Sequence, residues 1–368
     1  MHSGEKCFQT PRVKIALDAT PLYGRLGGIE RALWQTLLAL HELDLPHSFE
    51  VFVPHDAPTS PLSKPNWHWR RLPFEGEAKA RRILWQQTEL PLLLKAEQFD
   101  CLHATNYVMP LLSPCATVVS IPDLIALDFP RFATRVNRLH YRTIMPATLR
   151  RADVLLASTP KGRDAILRRA PGANVVVAPL GVENDFFEPV TQAQRHAAHQ
   201  KFALPPRFLL FAGNLEPKKN LPRLLRAVQS LGSNAPELIF VGGLKPWPEL
   251  QQLKLKARFL GYVDRTELRV LMSDCAAFCF PSLAEGFGLP IVEALACGAP
   301  VVASNRVPIP DLRTVAWTPD PHSLDSIAKS IKAALNTTDS VAAQGQHFAR
   351  YFSWQRTARI IAGVYSAL

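Results

Sequence analysis

The residues with the most chemical potential in this sequence stand where a short apolar run gives way to glycine and then to a helical pattern. In "PSLAEGFGLPIVEALACGAPVVAS", Glu285 and Glu293 flank a stretch containing Gly286, Phe287, Gly288 and Leu289, and Pro290 suits the first turn of a helix. Glycines there let the backbone approach a ligand, and the unpaired amides of a helix start attract anions. A diphosphate would sit well at that turn, and the two carboxylates could accept hydrogen bonds from sugar or ribose hydroxyls; capping the helix is the competing role for either glutamate. In "FAGNLEPKKNLPRLLRAV", an apolar run ends at Gly213, and Lys218 and Lys219 precede a helical segment. Two cations beside a helix start favour a phosphate site, with plain exposed loop lysines as the alternative. Gly27 and Gly28 precede an amphipathic segment in "YGRLGGIERALWQTLLAL", as a phosphate-cradling turn or as a turn only. Asp123 follows a buried-looking run in "VVSIPDLIALDFP", either capping the next segment or facing a cleft.

The elements that must position these groups are legible as alternating strands and helices. Val-, Ile-, Leu- and Phe-rich runs predict strands at 13–19, 49–54, 100–105, 117–121, 153–158 and 174–179. The rhythm restarts at 207–213, 237–243, 257–263, 275–282 and 300–304, with helices from about Leu221 and Pro290 and at the closing "FSWQRTARIIAGVYSAL". That alternation predicts an α/β fold of two Rossmann-like, doubly wound domains, with ligands at the carboxyl ends of the strands. The joint falls in the polar, Pro-flanked stretch at 185–205, which gives an N-terminal domain over 1–187, a C-terminal nucleotide-sugar domain over 188–352, and a last segment over 353–368.

Composition sets the outer limits. At 368 residues, 47% apolar and 20% charged, the chain has the make-up of a globular protein of two domains. No uncharged apolar stretch is long enough to cross a membrane and the first ten residues lack the apolar run of a secretion signal, which predicts a cytoplasmic protein. Six cysteines without a Cys-x-x-Cys pair predict reduced thiols, not a disulfide framework or a zinc site. No Asp-x-Asp pair, Walker loop, Gly-x-Ser-x-Gly elbow or His-Glu-x-x-His is present, so neither a metal nor a cofactor is expected. The net charge of +11 is concentrated between Arg131 and Arg169, where ten Lys/Arg face only Asp153 and Asp164. Arg131, Arg135, Arg138 and Arg142 recur at helical spacing as a basic stripe, suited to an anionic surface or to plain solvation. No nucleic-acid module accompanies it.

Taken together and in this order, these junctions resemble the retaining glycosyltransferases of family four with the GT-B fold, in which two Rossmann-like domains face a central cleft. The likeness runs through "ILWQQTELPLLL", "LHATNY", "RRADVLLASTPKGRDAI", "VVVAPLGVENDFF" and "NLEPKKNL" to "FSWQRTARII". It implies that Glu293 binds the donor ribose and Glu285 the transferred sugar. Amides near Phe287, Gly288 and Leu289 would meet the sugar or diphosphate, Lys219 would bind phosphate, and Gly27 and Gly28 would approach the diphosphate and the acceptor. The closing helix would cross back to the N-terminal domain. Front-face transfer with retention, metal-independent, is the implied mechanism. Many relatives carry His-Asp where this chain has Pro122-Asp123, and some place an arginine where Asn214 stands.

The implied partners are a GDP- or UDP-linked sugar donor and a glycan or polyprenyl-linked acceptor, with an anionic membrane surface added by the basic stripe. The general character of the chain favours mannose transfer in lipopolysaccharide or exopolysaccharide assembly. A non-catalytic GT-B protein that binds a nucleotide sugar is the alternative. It is favoured by the missing histidine and opposed by Glu285, Glu293 and Lys219.

Overall fold

Strands buried on both faces read as unbroken apolar runs, because helices cover both sides of a parallel sheet. The computed structural model describes residues 12–24, 27–58, 62–128, 135–233, 235–243, 257–337 and 339–368, with backbone alone at 135–140, 339 and 340. It divides into two compact units, Met1–Pro179 with Trp354–Leu368, and Leu180–Ser353.

In the first unit the described strands are β1 (Lys14–Asp18), β2 (Ser48–Val53), β3 (Trp67–Arg71), β4 (Cys101–Ala104), β5 (Ala116–Ile121), β6 (Val154–Ala157) and β7 (Val175–Val177). They pair in parallel in the order β3-β2-β1-β4-β5-β6-β7, so the direction of winding reverses between β1 and β4. Helices α1 (Gly28–Glu42), α2 (Lys79–Ala96), α3 (Ile125–Asp128), α4 (Arg135–Arg151) and α5 (Pro160–Leu167) connect them. Strand β3, "WHWRR", carries no apolar run, and nothing in the sequence reading marked it. Its charged residues suit a sheet edge, and Trp67 stacks on Phe49 with ring centroids 4.3 Å apart.

The second unit holds β8 (Phe208–Ala212), β9 (Glu237–Val241), β10 (Ala257–Gly261), β11 (Ala277–Phe280) and β12 (Val301–Ala303), parallel in the order β10-β9-β8-β11-β12. Its described helices are α6 (Gln192–Phe202), α7 (Leu221–Gln229), α8 (Arg265–Asp274), α9 (Leu289–Ala296), α10 (Leu324–Ala334) and α11 (Asp339–Ala349). Winding reverses between β8 and β11, where Phe211 stacks on Phe280 at 5.5 Å. The strand expected from Cys275 begins two residues later, because the last turn of α8 takes Cys275 through a bond from its N–H to the Leu271 carbonyl.

Helix α12 (Trp354–Ser366) belongs with the first unit. Tyr365 is fully buried and its hydroxyl lies 2.6 Å from His103 Nδ1 on β4, while His103 Nε2 lies 2.8 Å from the Ser120 hydroxyl on β5. Burial pushes the His103 imidazole down to about 3, so the ring is neutral at pH 7 and acts as a structural bridge.

Candidate active site

In open parallel sheets the crevice at the reversal of winding, at the carboxyl ends of the strands, is where ligands collect. At that point of the second unit the loops after β8 and β11 are knitted together. Asn220, in the left-handed region at φ +62°, donates from its side-chain amide to the carbonyls of Pro281 at 3.0 Å and Pro321 at 2.7 Å. The Leu283 N–H donates to the Lys218 carbonyl at 2.7 Å. These bonds hold the short turn Pro217–Lys219 against the segment that carries Glu285.

The result is a direct ion pair between residues 66 apart in sequence: Lys219 Nζ donates to Glu285 Oε1 at 2.7 Å. Both side chains are shielded, 12% and 9% exposed, and the ammonium also sits 4.6 Å from the centroid of the Phe280 ring. A shielded charge needs a partner, and here each supplies the other's. An ammonium has three donors, so Lys219 can hold Glu285 and still offer hydrogens to a phosphate. Lys218 lies 3.4 Å from Glu216.

Helix α9 starts one residue past Gly288, which is its N-cap at φ +102°, a conformation that L side chains rarely adopt. Gly286 and Phe287 lead into it, with Phe287 buried against Phe352, and Leu289 is its first residue. In that first turn Pro290 has no N–H and Ile291 donates its N–H to the Gly288 carbonyl at 2.9 Å, so the Leu289 amide and the glycine turn before it are the backbone donors between Glu285 and Glu293 in the chain. Glu293, in the second turn, is buried and lies 3.6 Å from Arg265 Nη1; the same guanidinium lies 2.5 Å from Glu183 Oε2 and 4.2 Å from the Phe186 ring centroid. Arg265 and Glu183 were not singled out from the sequence. Arg265 stands just past a strand's carboxyl end, directly after the capping Asp264, and that position was the available signal.

Gly213 closes β8 and makes room for the neighbouring strand end. A Cβ on Gly242 would fall 2.2 Å from the Gly213 carbonyl oxygen, so a residue with a side chain at Gly242 would force the two strand ends apart. Asn214 is exposed and accepts a bond from the Tyr262 hydroxyl at 3.1 Å.

The remaining expected residues belong to the first unit. Gly27 is the N-cap of α1 and Gly28 its first residue, so the glycine pair opens a helix just beyond β1. Asp123 follows β5 and does two things: Oδ1 accepts the Ile125 N–H at 2.8 Å, capping α3, and Oδ2 accepts the Tyr107 hydroxyl at 2.9 Å. Tyr107 has φ +66°, a backbone strain that a non-glycine residue keeps only where its surroundings demand it. Of the basic stripe, Arg131 lies outside the described residues, as do the side chains of Arg135 and Arg138, and Arg142 is exposed on α4.

Comparison with known proteins decides the family. The model for glycosyl transferases group 1 matches residues 193–347, and that for glycosyltransferase family 4 matches residues 26–186. The chain belongs to the group 1 glycosyltransferases. Among curated relatives of this glycosyltransferase, the O-antigen chain mannosyltransferase B of Escherichia coli is 28% identical over 283 residues, covering 72% of this chain and 74% of the relative. The serotype-specific mannosyltransferase WbdA of the same organism is 27% identical over 285 residues, 70% of this chain but 34% of its own length. Among solved structures, the sucrose-phosphate synthase of Thermosynechococcus elongatus superposes with a TM-score of 0.75 at 20% identity, over 96% of this chain and 98% of that one. WaaG, a glycosyltransferase involved in lipopolysaccharide biosynthesis, gives 0.74 at 18%, over 96% and 99%. Anabaena HepE in complex with UDP and glucose gives 0.71 at 18%, over 97% and 100%. These likenesses establish the GT-B fold.

Proposed function

We propose that this glycosyltransferase transfers mannose or a related hexose, with retention, from a nucleotide-diphosphate sugar to a glycan or lipid-linked glycan in surface-polysaccharide assembly. The observation that carries the reading is the shielded Lys219–Glu285 pair beside the amide-bearing start of α9. The sugar assignment rests on the kinship with the O-antigen mannosyltransferases. Lys219 and the amides of α9 would hold the diphosphate, Glu285 the hexose hydroxyls and Glu293 the ribose. As the bond from the anomeric carbon to the phosphate oxygen breaks, the acceptor oxygen bonds to that carbon on the same face. The acceptor's proton passes to the departing phosphate oxygen. Negative charge grows on the diphosphate in that step, which is where a fixed ammonium and oriented amides stabilise most. With that work done by Lys219, transfer needs no divalent ion. Asp123, held by Tyr107, would serve the acceptor side.

A thermal-shift panel of nucleoside diphosphates tests the donor. A ligand at a hundred times its dissociation constant stabilises the folded protein by about 2.7 kcal/mol, so GDP or UDP should raise the melting temperature by several degrees. A flat response to the whole panel would defeat the reading.

The acceptor side is drawn from charge. Between Asp128 and Asp153 the sequence has no acidic residue, and a surface pocket of about 380 Å³ is lined by Leu127, Arg142, Pro146, Leu149, Arg150 and Arg169. Arg169 pairs with Asp128, which leaves that lining net positive. No described helix is long and apolar enough to cross a membrane. Each arginine near an anionic bilayer contributes about 1 kcal/mol, roughly fivefold in affinity. Vesicles containing anionic lipid should therefore bind at low salt and release at high salt, and Arg142→Gln with Arg150→Gln should weaken that binding more than tenfold. Equal binding to neutral vesicles removes the membrane from the account.

A further inference from the structure

The shielded guanidinium of Arg265 has no part in the chemistry described so far. It opens α8, where Asp264 caps the helix through a reciprocal bond pair with Glu267. Its side chain lies between two carboxylates, Glu183 at 2.5 Å and Glu293 at 3.6 Å, with the Phe186 ring against one face. All three guanidinium nitrogens are closed off from solvent, yet none makes a hydrogen bond of good geometry within the described residues. The group is always charged and presents five N–H donors in a rigid fork, so its place is set by charge and packing and not by a fitted fork of bonds.

The two separations differ in kind. At 2.5 Å the Glu183 carboxylate is in contact, whereas 3.6 Å to Glu293 is an ion pair too long to be a hydrogen bond. This suits a ligand carboxylate. Glu293 is buried and would be costly to keep ionised without a nearby positive charge. A short bond to the arginine would spend the lone pairs that a ribose diol needs. A cation at 3.6 Å favours the charged, oriented carboxylate without itself taking a hydrogen bond from it.

We propose that Arg265 is a positioning residue: braced by Glu183 and Phe186, it holds Glu293 ionised and aimed so that the carboxylate can accept both ribose hydroxyls of the donor. The inference rests on the ribose role of Glu293. It adds that recognition of the donor's ribose depends on a residue from the strand-to-helix turn after β10, outside the loop and helix that carry the two glutamates.

The test compares two ligands on four proteins. Affinities of the nucleoside diphosphate chosen by the thermal-shift panel and of its 2′,3′-dideoxy analogue are measured by titration calorimetry on the full chain, with wild type, Glu293→Gln, Arg265→Met and Arg265→Lys. Hydrogen bonds from two hydroxyls to a carboxylate make wild type favour the diol by about 10- to 100-fold. In Arg265→Met that preference should collapse to within about threefold, as in Glu293→Gln, while affinity for the dideoxy analogue stays the same. Arg265→Lys keeps the charge and should restore most of the preference, which a merely structural role would not do; the neutral Arg265→Gln replaces Arg265→Met if that variant does not fold. A wild type that prefers the diol together with unchanged preference in Arg265→Met, or in Arg265→Gln where that replaces it, or with a preference lost in Arg265→Lys as fully as in the neutral variant, would overturn the role of Arg265 and leave that of Glu293 standing. A wild type that binds both ligands equally would overturn the ribose role of Glu293 and this proposal with it.

Discussion

Replacing Lys219 with alanine is expected to lower turnover by two to three orders of magnitude while weakening binding of the intact nucleotide-diphosphate sugar by about tenfold or less. The asymmetry follows from when the charge is needed. In the intact donor both ends of the diphosphate are esterified and each phosphate carries a single negative charge, part of which the backbone amides around Gly288 and Leu289 would meet. As the bond to the sugar breaks, an additional charge develops on the departing phosphate, and a preorganised donor in a shielded site counts most at that moment. Lys219 is such a donor: 12% exposed, fixed by Glu285 at 2.7 Å and backed by the Phe280 ring. Steady-state rates with and without the mutation, set beside calorimetric binding of the intact donor in the absence of acceptor, separate the two effects. A variant whose donor binding weakens while turnover at saturation is unchanged would place the lysine in ground-state binding alone.

Glu285→Gln is expected to act in opposite directions on the same two quantities. Turnover should fall about a hundredfold, because the carboxylate that would hold the hexose hydroxyls becomes a weaker acceptor. Binding of the free diphosphate, which carries no hexose, should tighten by about two- to tenfold. The glutamine removes a negative charge 2.7 Å from the ammonium that the phosphates must also meet. Leaving Lys219 without its counter-ion costs stability, since a shielded ammonium is then uncompensated; a saturating diphosphate should return part of that loss. Unchanged or weaker diphosphate binding in Glu285→Gln would show that the pair does not share one phosphate site. Because Lys219 and Glu285 touch, their effects should not add in the double variant.

Much of the fold could be read from the sequence because parallel strands covered on both faces carry their own signature. Runs such as Phe208–Ala212 and Phe278–Phe280 are apolar at every position, and the glycine or proline after each marks its carboxyl end. Strand β3 was invisible for the complementary reason: an edge strand of Trp, His and Arg is specified by its neighbour Phe49 and by the sheet edge, and not by its own pattern. The same division runs through the site. Glu285, Glu293 and Lys219 stand out because they sit beside glycines and helix starts, which are local signals. That Lys219 meets Glu285, and that Arg265 meets both Glu183 and Glu293, depends on which strands neighbour one another, and no local pattern encodes it. Asp123 had two readings, a cap or a group facing a cleft. One of its oxygens caps α3 while the other holds Tyr107, a residue whose strained backbone no propensity would suggest.

Crystals of this glycosyltransferase grown with an intact GDP- or UDP-linked hexose give the most direct measurement. The diphosphate should lie within about 4 Å of Lys219 Nζ and against the first amides of α9, with Glu285 on the hexose and Glu293 on the ribose. Donor density anywhere else, with the Lys219–Glu285 pair untouched by it, would contradict the assignment of this site.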